Sequence, residues 1–367
     1  MNISFIGYEA NIKNRVGSNQ YAFELMKALY KLDQKNQYTV FLPTPPLPDL
    51  PPERDNWQYQ IVGPRKFWNF FGLPFALRRQ RPKPNVIFNP GHYSPLFSFA
   101  PLAISIMDLG YLHYPEQFTK PILFKLKFWT SFSIKRAAHI FAISESTKND
   151  IIKTYKIAEN KITVTYPGFD REKSKVKNQS LKVKEIKKKY AINGDYILFL
   201  STLKPSKNIE GLLEAFSRLT GMIPVKLVIA GKKGWLYETI FAKVKKLRLE
   251  DRVVFTDYVP EDDVSGLMAG AKVFVLPSFW EGFGIPVVEA MACGVPVVVS
   301  NAGSLPEIVG DAGVIVDPYK PDEIARGIEK AVKNRVQLIK LGLEQVKKFS
   351  WEDCAQKTLK KLEEVGK

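Results

Sequence analysis

Residues 277–307 read PSFWEGFGIPVVEAMACGVPVVVSNAGSLPE, and the alternation of apolar runs and turns in this stretch decides the fold. The segment AKVFVLP ahead of it is a buried strand that ends at Pro277. A Gly-containing turn then leads into a helix around Val287–Cys293, and VPVVVS forms the next strand. In an open parallel sheet ligands bind beyond the carboxyl ends of the strands, so the loop after Pro277 is placed for binding. Gly282 and Gly284 let a ligand approach the backbone, and the helix N-terminus beyond them favours a phosphate or pyrophosphate. Glu281 lies in the loop and Glu289 inside the helix, so the two can reach different parts of one ligand. Glu289 stands in the apolar run VVEAMACG, where an unpaired carboxylate is costly and needs a partner. Pro296 and Pro306 punctuate two more turns on the same sheet edge. Taken alone, the stretch is also readable as a turn with two unrelated surface glutamates.

The same alternation extends on both sides. Toward the N-terminus Ile3–Gly7 reads as a buried strand, NRVGSNQ as a loop, and about Tyr21 to Leu32 as a helix with Phe23, Leu25, Met26 and Tyr30 on its apolar side. YTVFLP, NVIFNP, LAISIMD and HIFAIS follow as strands, and a helix capped at Ser144 opens after the last. After Gly168 the chain turns polar and lysine-rich. The alternation then restarts with YILFLST, NIEGLLEAFSRL, VKLVIAG and RVVFTDYV. Two α/β sheets are therefore expected, with a basic linker and helix at 171–190 between them.

Composition narrows the class. The chain has 367 residues, enough for two domains, with 45% hydrophobic and 25% charged residues, which excludes a disordered protein. Two cysteines cannot staple a secreted scaffold, and Cys293 and Cys354 do not form a metal-ligand cluster. The start, MNISFIGYEA, lacks a basic segment followed by an apolar run, so no signal peptide is expected. Residues 84–107 carry no charge, but Pro90, Pro95, Pro101, Asn89 and His92 argue against a membrane span. Neither half shows G-x-G-x-x-G after its first strand, and no Walker A sequence occurs, so dehydrogenase and P-loop readings lose their main support. The net charge of +17 is uneven: residues 1–170 carry +9, residues 171–190 carry +7, and residues 191–367 carry +1. A positive field over the first half attracts an anionic partner.

The run EGFGIPVVEAMACGVPVVVSNAGSLPE resembles the Glu-x7-Glu signature of the retaining glycosyltransferases of family four, which have the GT-B fold. STLKPSKNIEGLLEAF is similar to the family's phosphate loop, LVIAGKKGW to its next strand and turn, and PSFWEGFG to its PSLYEGFG-type loop. NRVGSNQYAFEL, IMDLGYLHYPEQF and ISESTKNDIIKTYKI with ITVTYPGFD match N-terminal segments more loosely. The resemblance implies an α/β GT-B architecture of two Rossmann-like domains facing across a cleft. An acceptor-binding domain would span 1–170, with the helix at about 351–367 packing back on it. A nucleotide-sugar-binding domain would span 191–350. It further implies a metal-independent transfer of a hexose, with retention, from a nucleotide diphosphate to an acceptor hydroxyl. No cofactor beyond the donor is expected.

Carried onto this sequence, the resemblance gives Glu289 the ribose hydroxyls. Glu281, Gly282, Phe283 and Gly284 would contact the transferred sugar and phosphates, and Lys207, beside Thr202, the leaving diphosphate. Tyr258 and Val259 would pack the base, and Gly17 would lie near the reacting centre. Glu281, Lys207 and Asp108 make up the catalytic group, with Asp108 and His113 on the acceptor side. Two departures stand out. Ser206 occupies the place of a second cation, with Lys204 as its substitute. Met107 replaces the histidine that usually precedes the aspartate, and methionine cannot donate a hydrogen bond.

LVIAGKKGW with SNAGSLPE resembles the mannosyltransferase-like branch, so GDP-mannose is the expected donor and a UDP-sugar the alternative. The expected acceptor is a glycan or lipid-linked saccharide of surface polysaccharide synthesis. A sugar-nucleotide epimerase of the same fold and a non-catalytic binding descendant are the competing readings. PRKFWNFFGLPFALRRQRPK and KPILFKLKFWTSFSIKRAA interleave aromatic and basic residues. This suits a cytoplasmic protein docked on an anionic membrane surface, and equally a core helix with exposed lysines. No RNA-binding motif accompanies them, so no nucleic-acid partner is expected.

Overall fold

In the computed structural model, which describes residues 1–15, 17–170, 179–219 and 224–367, the apolar runs form two separate parallel sheets. The first contains β1 (Asn2–Ile6), β2 (Gln37–Leu42), β3 (Trp57–Ile61), β4 (Val86–Asn89), β5 (Leu102–Ile106), β6 (His139–Ala142) and β7 (Ile162–Val164). Their order is β3-β2-β1-β4-β5-β6-β7. The second contains β8 (Asp195–Leu200), β9 (Val225–Ala230), β10 (Val253–Asp257), β11 (Val273–Leu276), β12 (Val297–Ser300) and β13 (Gly313–Val316), in the order β10-β9-β8-β11-β12-β13. One unit comprises Met1–Gly168 and Phe349–Lys367, the other Phe169–Lys348.

Every residue of β4, β5, β6, β11 and β12 is buried, as strands covered on both faces require. In each sheet the opening strand lies inside the order, β1 between β2 and β4, and β8 between β9 and β11. The winding direction reverses there, which leaves a crevice at the carboxyl ends of those strands.

The first helix runs from Ser18 to Leu32, three residues earlier than its apolar pattern indicates. Its opening turn is polar and is entered through Gly17 at φ 55°. The apolar stripe buries Tyr21, Phe23, Leu25, Met26 and Leu29, while Tyr30 is half-buried. On this helix packs the C-terminal helix Trp351–Val365, where Tyr21 meets Trp351 at a ring separation of 5.9 Å. Ser350 caps that helix by accepting from Asp353 N at 3.0 Å, and Asn36 donates to Glu363 at 2.9 Å. The chain crosses under its first turn at Gly168, where a Cβ would lie 2.1 Å from Trp351 N, so only glycine fits.

Within the basic stretch 171–190, residues 171–178 lie outside the described residues. Gln179–Lys189 is a helix of the second unit, packed on helix Glu261–Ala269. Ile186 sits against Gly266 in that contact, and both Lys189 and Tyr190 reach Asp263.

His139 on β6 is buried, with Nε2 2.9 Å from Thr163 Oγ1. Burial pushes its pKa down to about 4, Lys361 adds to the effect, and Glu364 opposes it. The folded imidazole stays neutral while the unfolded one protonates near its ordinary value. Stability is therefore lost as the pH falls through about 6.5 toward 4, and the group contributes nothing above neutrality. Between pH 7.5 and 5.5 the loss should be about 1 kcal/mol. Thermal melting of His139→Gln should show a flatter pH dependence than the wild type; an unchanged slope would remove His139 as its source.

Candidate active site

The second unit's crevice is built from the loops after β8 and β11. Strand β8 gives way to Ser201–Lys204 and a single turn, Pro205–Lys207, before helix Ile209–Arg218 opens at Asn208. Asn208 takes a left-handed backbone, φ 52°, which asparagine tolerates. Its buried side chain donates to Pro277 O at 3.1 Å and to Pro318 O at 2.6 Å. Phe279 N donates to Ser206 O at 2.9 Å, so the two loops are joined at two points.

This joint brings Lys207 and Glu281 together, with Nζ and Oε1 2.5 Å apart and side chains 11% and 12% exposed. Ser278 Oγ donates to the same carboxylate oxygen at 2.7 Å, and Ser300 Oγ donates to Ser278 O at 2.5 Å. The Glu281 carbonyl accepts from Ser304 N at 3.0 Å and Ser304 Oγ at 3.1 Å. Gly303 passes so close that a Cβ there would sit 2.4 Å from Glu281 O. Lys207 is therefore a fixed, nearly buried cation rather than a solvated helix-start lysine.

Gly282, Phe283 and Gly284 are buried, and Gly284, at φ 91°, starts helix Ile285–Ala292 with Pro286 in its first turn. Pro286 brings no N–H to that turn and Val287 N donates to Gly284 O at 2.9 Å, so the turn is closed on its own N-cap carbonyl. Farther along the helix Glu289 is half-buried at the rim of a pocket, together with Val264, Ser265, Met268 and Cys293. Burial pushes the Cys293 thiol up to about 12, with the Glu289 charge adding to it. Thr202 is half-buried against Gly234. Val259 is buried, while Tyr258 is 47% exposed and so is not a core residue. Lys204 Nζ lies 5.0 Å from the centre of the Trp235 ring.

In the first unit the crevice lies at the ends of β1 and β4. Gly17 has no atom within 4 Å of a built Cβ, so its φ of 55° alone explains the glycine. Asp108, just past β5, accepts from Gly110 N at 2.8 Å. The Met107 N–H donates to His92 Nε2 at 2.8 Å, so an imidazole from the loop after β4 lies beside the position that lacks one. That bond fixes the proton on Nδ1, and burial lowers the His92 pKa against the opposing pull of Asp108. His113 is exposed and pairs with Asp150 at 2.9 Å. Glu9, which its sequence context did not single out, is half-buried beside Gly91 and accepts from Asn19; burial raises its pKa. Among the described residues no three His, Cys, Asp or Glu side chains are grouped to hold a metal ion.

The family profile "Glycosyltransferase Family 4" matches residues 16–173, and "Glycosyl transferases group 1" matches 182–348. The O-antigen chain mannosyltransferase B of Escherichia coli is 31% identical over 307 residues, covering 82% of this chain and 78% of its own. The chain belongs to the family-four glycosyltransferases. Two solved structures are similar to this glycosyltransferase in fold. Sucrose-phosphate synthase from Thermosynechococcus elongatus has a TM-score of 0.78 at 19% identity, covering 99% of this chain and 98% of its own. Anabaena HepE, solved in complex with UDP-glucose, has a TM-score of 0.76 at 18% identity and covers 100% of both chains. The architecture of this glycosyltransferase is thus GT-B.

Glu281, Glu289, Lys207 and the glycine turn were visible in the sequence of this glycosyltransferase. Ser278, Asn208, Gly303 and His92 were not, although the Asn after Lys207 and the glycine before Ser304 were available as turn signals. Asn208→Ala should leave two buried carbonyls without a donor and lower stability by about 2–4 kcal/mol. Asn208→Gly keeps the left-handed backbone but loses the same bonds, so its thermal midpoint should fall as well. A midpoint restored by glycine would assign the effect to backbone strain instead.

Proposed function

We propose that this glycosyltransferase transfers mannose from GDP-mannose to a saccharide or lipid-linked saccharide of a surface polysaccharide, with retention and without a required metal or cofactor. The observation that carries the reading is the Lys207–Glu281 pair fixed at the switch point beside the start of helix Ile285–Ala292. The mannosyltransferase name of the Escherichia coli relative supports the donor sugar.

In this reading the ammonium of Lys207 and the positive end of helix Ile285–Ala292 stabilise the charge that develops on the departing diphosphate. Glu281 and Ser278 hold that lysine in place before the donor arrives, so little reorganisation is needed during transfer. Glu289 accepts the ribose hydroxyls. Tyr258 and Val259 border the base, and Gly282, Phe283 and Gly284 leave room for sugar and phosphates. On the acceptor side Asp108 and His113 meet the incoming hydroxyl, with Gly17 near the reacting centre. The bond between the anomeric carbon and the diphosphate oxygen breaks with its electron pair going to that oxygen, as the acceptor oxygen bonds to the anomeric carbon and passes its proton to the departing diphosphate.

Binding heats and slow hydrolysis measured with GDP-mannose, UDP-glucose and UDP-N-acetylglucosamine test the reading. GDP-mannose should bind selectively, and Glu289→Ala should weaken it by about tenfold to a hundredfold, the equivalent of one or two buried hydrogen bonds. Binding of none of the three would sink the transferase reading for this donor class.

The same proposal includes docking of the first unit on an anionic membrane. Phe67, Phe71, Phe75, Phe124 and Phe128 are all more than half exposed. Phe70 and Trp129, edge to face at 4.9 Å, join the segment around residue 70 to helix Lys120–Arg136. Lys66 Nζ lies 5.6 Å from the centre of the Phe67 ring and the Arg79 guanidinium 4.0 Å from that of Phe75, and Arg65, Lys125 and Lys127 are neighbours of the aromatics along the chain. Aromatic insertion and lysine attraction together suit an anionic bilayer surface. Among the described residues no helix is long and apolar enough to cross a membrane. Flotation with vesicles containing phosphatidylglycerol should capture the protein in a salt-sensitive way, and Phe124→Glu with Phe128→Glu should abolish it. Equal capture by purely zwitterionic vesicles would refute the electrostatic part.

A further inference from the structure

Between the phosphate-side loop after β8 and the Tyr258 loop after β10 lies a third loop, residues 231–237, which follows β9. Its position is fixed on both flanks. Leu203 N donates to Lys232 O at 2.9 Å, and Gly234 N donates to Leu203 O at 2.9 Å. A Cβ on Gly234 would sit 2.6 Å from Leu203 O, so the approach requires glycine. On the other flank Gly231 N donates to Asp257 O at 2.9 Å, and Lys233 lies 3.7 Å from the Asp257 carboxylate.

The tip of this fixed loop carries Trp235, 44% exposed, and Leu236, 62% exposed and held at φ 55°. Single exposed apolar residues need no explanation. Here Trp235, Leu236 and Tyr258 come from neighbouring loops on the ligand-binding edge of the sheet. Lys232 and Lys233 precede the tip in the same loop, and the Lys204 ammonium from the loop after β8 lies 5.0 Å from the centre of the indole, in cation–π range. An exposed aromatic ring beside a lysine on that edge suits a ligand with a flat base and an anionic tail.

We propose that Trp235 stacks on the base of the donor nucleotide and favours a purine over a pyrimidine. The inference rests on the nucleotide-sugar reading above and names a specificity residue within it. Stacking works on any base through its π-face, and the overlap with an indole grows with ring area, so the bicyclic purine gains more than uracil. Lys204, the substitute for the cation missing at Ser206, serves in this arrangement to hold the indole.

Calorimetric titration of the full chain with GDP and with UDP tests it, using wild type, Trp235→Ala and Trp235→Phe. Wild type should bind GDP more tightly. Trp235→Ala should weaken GDP about tenfold and UDP by less, so that the preference collapses, while Trp235→Phe keeps most of it. Thermal midpoints of both variants should match wild type, because the side chain is at an exposed tip. Unchanged affinities in Trp235→Ala, or equal losses for both nucleotides, would overturn the stacking role while leaving the transferase reading intact. Failure of the wild type to bind either nucleotide would defeat the nucleotide-sugar reading itself, and the inference with it.

Discussion

Lys207 and Glu281 lie 2.5 Å apart and almost out of water, and the second unit's site is arranged around keeping them there. Withdrawing both charges from solvent carries a desolvation penalty that the attraction between them repays only with good geometry and further hydrogen bonds. Ser278 supplies such a bond to the carboxylate, and Ser300 in turn anchors Ser278. Asn208 ties the lysine's loop to the glutamate's loop. The pair is therefore better understood as a device for position than as a source of stability.

The first unit meets a comparable problem with different residues. Methionine at 107 removes a side-chain donor, but the backbone N–H of the same residue captures His92 from the next loop. Because Nε2 accepts that bond, the proton resides on Nδ1, and burial lowers the His92 pKa against the opposing charge of Asp108. An imidazole N–H thus remains at the carboxyl edge of the first sheet, close enough to Asp108 to feel its charge. Glu9, packed against Gly91 in the same region, adds a carboxyl group whose pKa is raised by burial.

Much of the architecture was legible because central parallel strands are covered on both faces and so appear as unbroken apolar runs. NVIFNP, LAISIMD, HIFAIS, AKVFVLP and VPVVVS all contain such strands. The strands that escaped notice, β3, β7 and β13, lie at sheet edges. β7 (ITV) and β13 (GVIV) are only three and four residues long and give no extended run, whereas β3 (WQYQI) mixes polar with apolar residues because it is partly exposed. The polar opening turn of the first helix was hidden in the same way, since Ser18, Asn19 and Gln20 carry no apolar period.

The sequence by itself determined the parallel α/β class, the glycine turn and the positions of Glu281, Glu289 and Lys207, because each is a local pattern: an apolar period, a turn residue or a short motif. It also determined the family, through the long match around residues 277–307. Only the tertiary structure decided that Lys207 pairs with Glu281, that Asn208 joins two loops, and that His92 rests against Met107. It likewise decided that Glu289 lies at a pocket rim rather than fully buried, and that Tyr258 and Trp235 face solvent. These are contacts between residues distant along the chain. Strand order and loop packing create them, and no local propensity encodes which two loops of a sheet will meet.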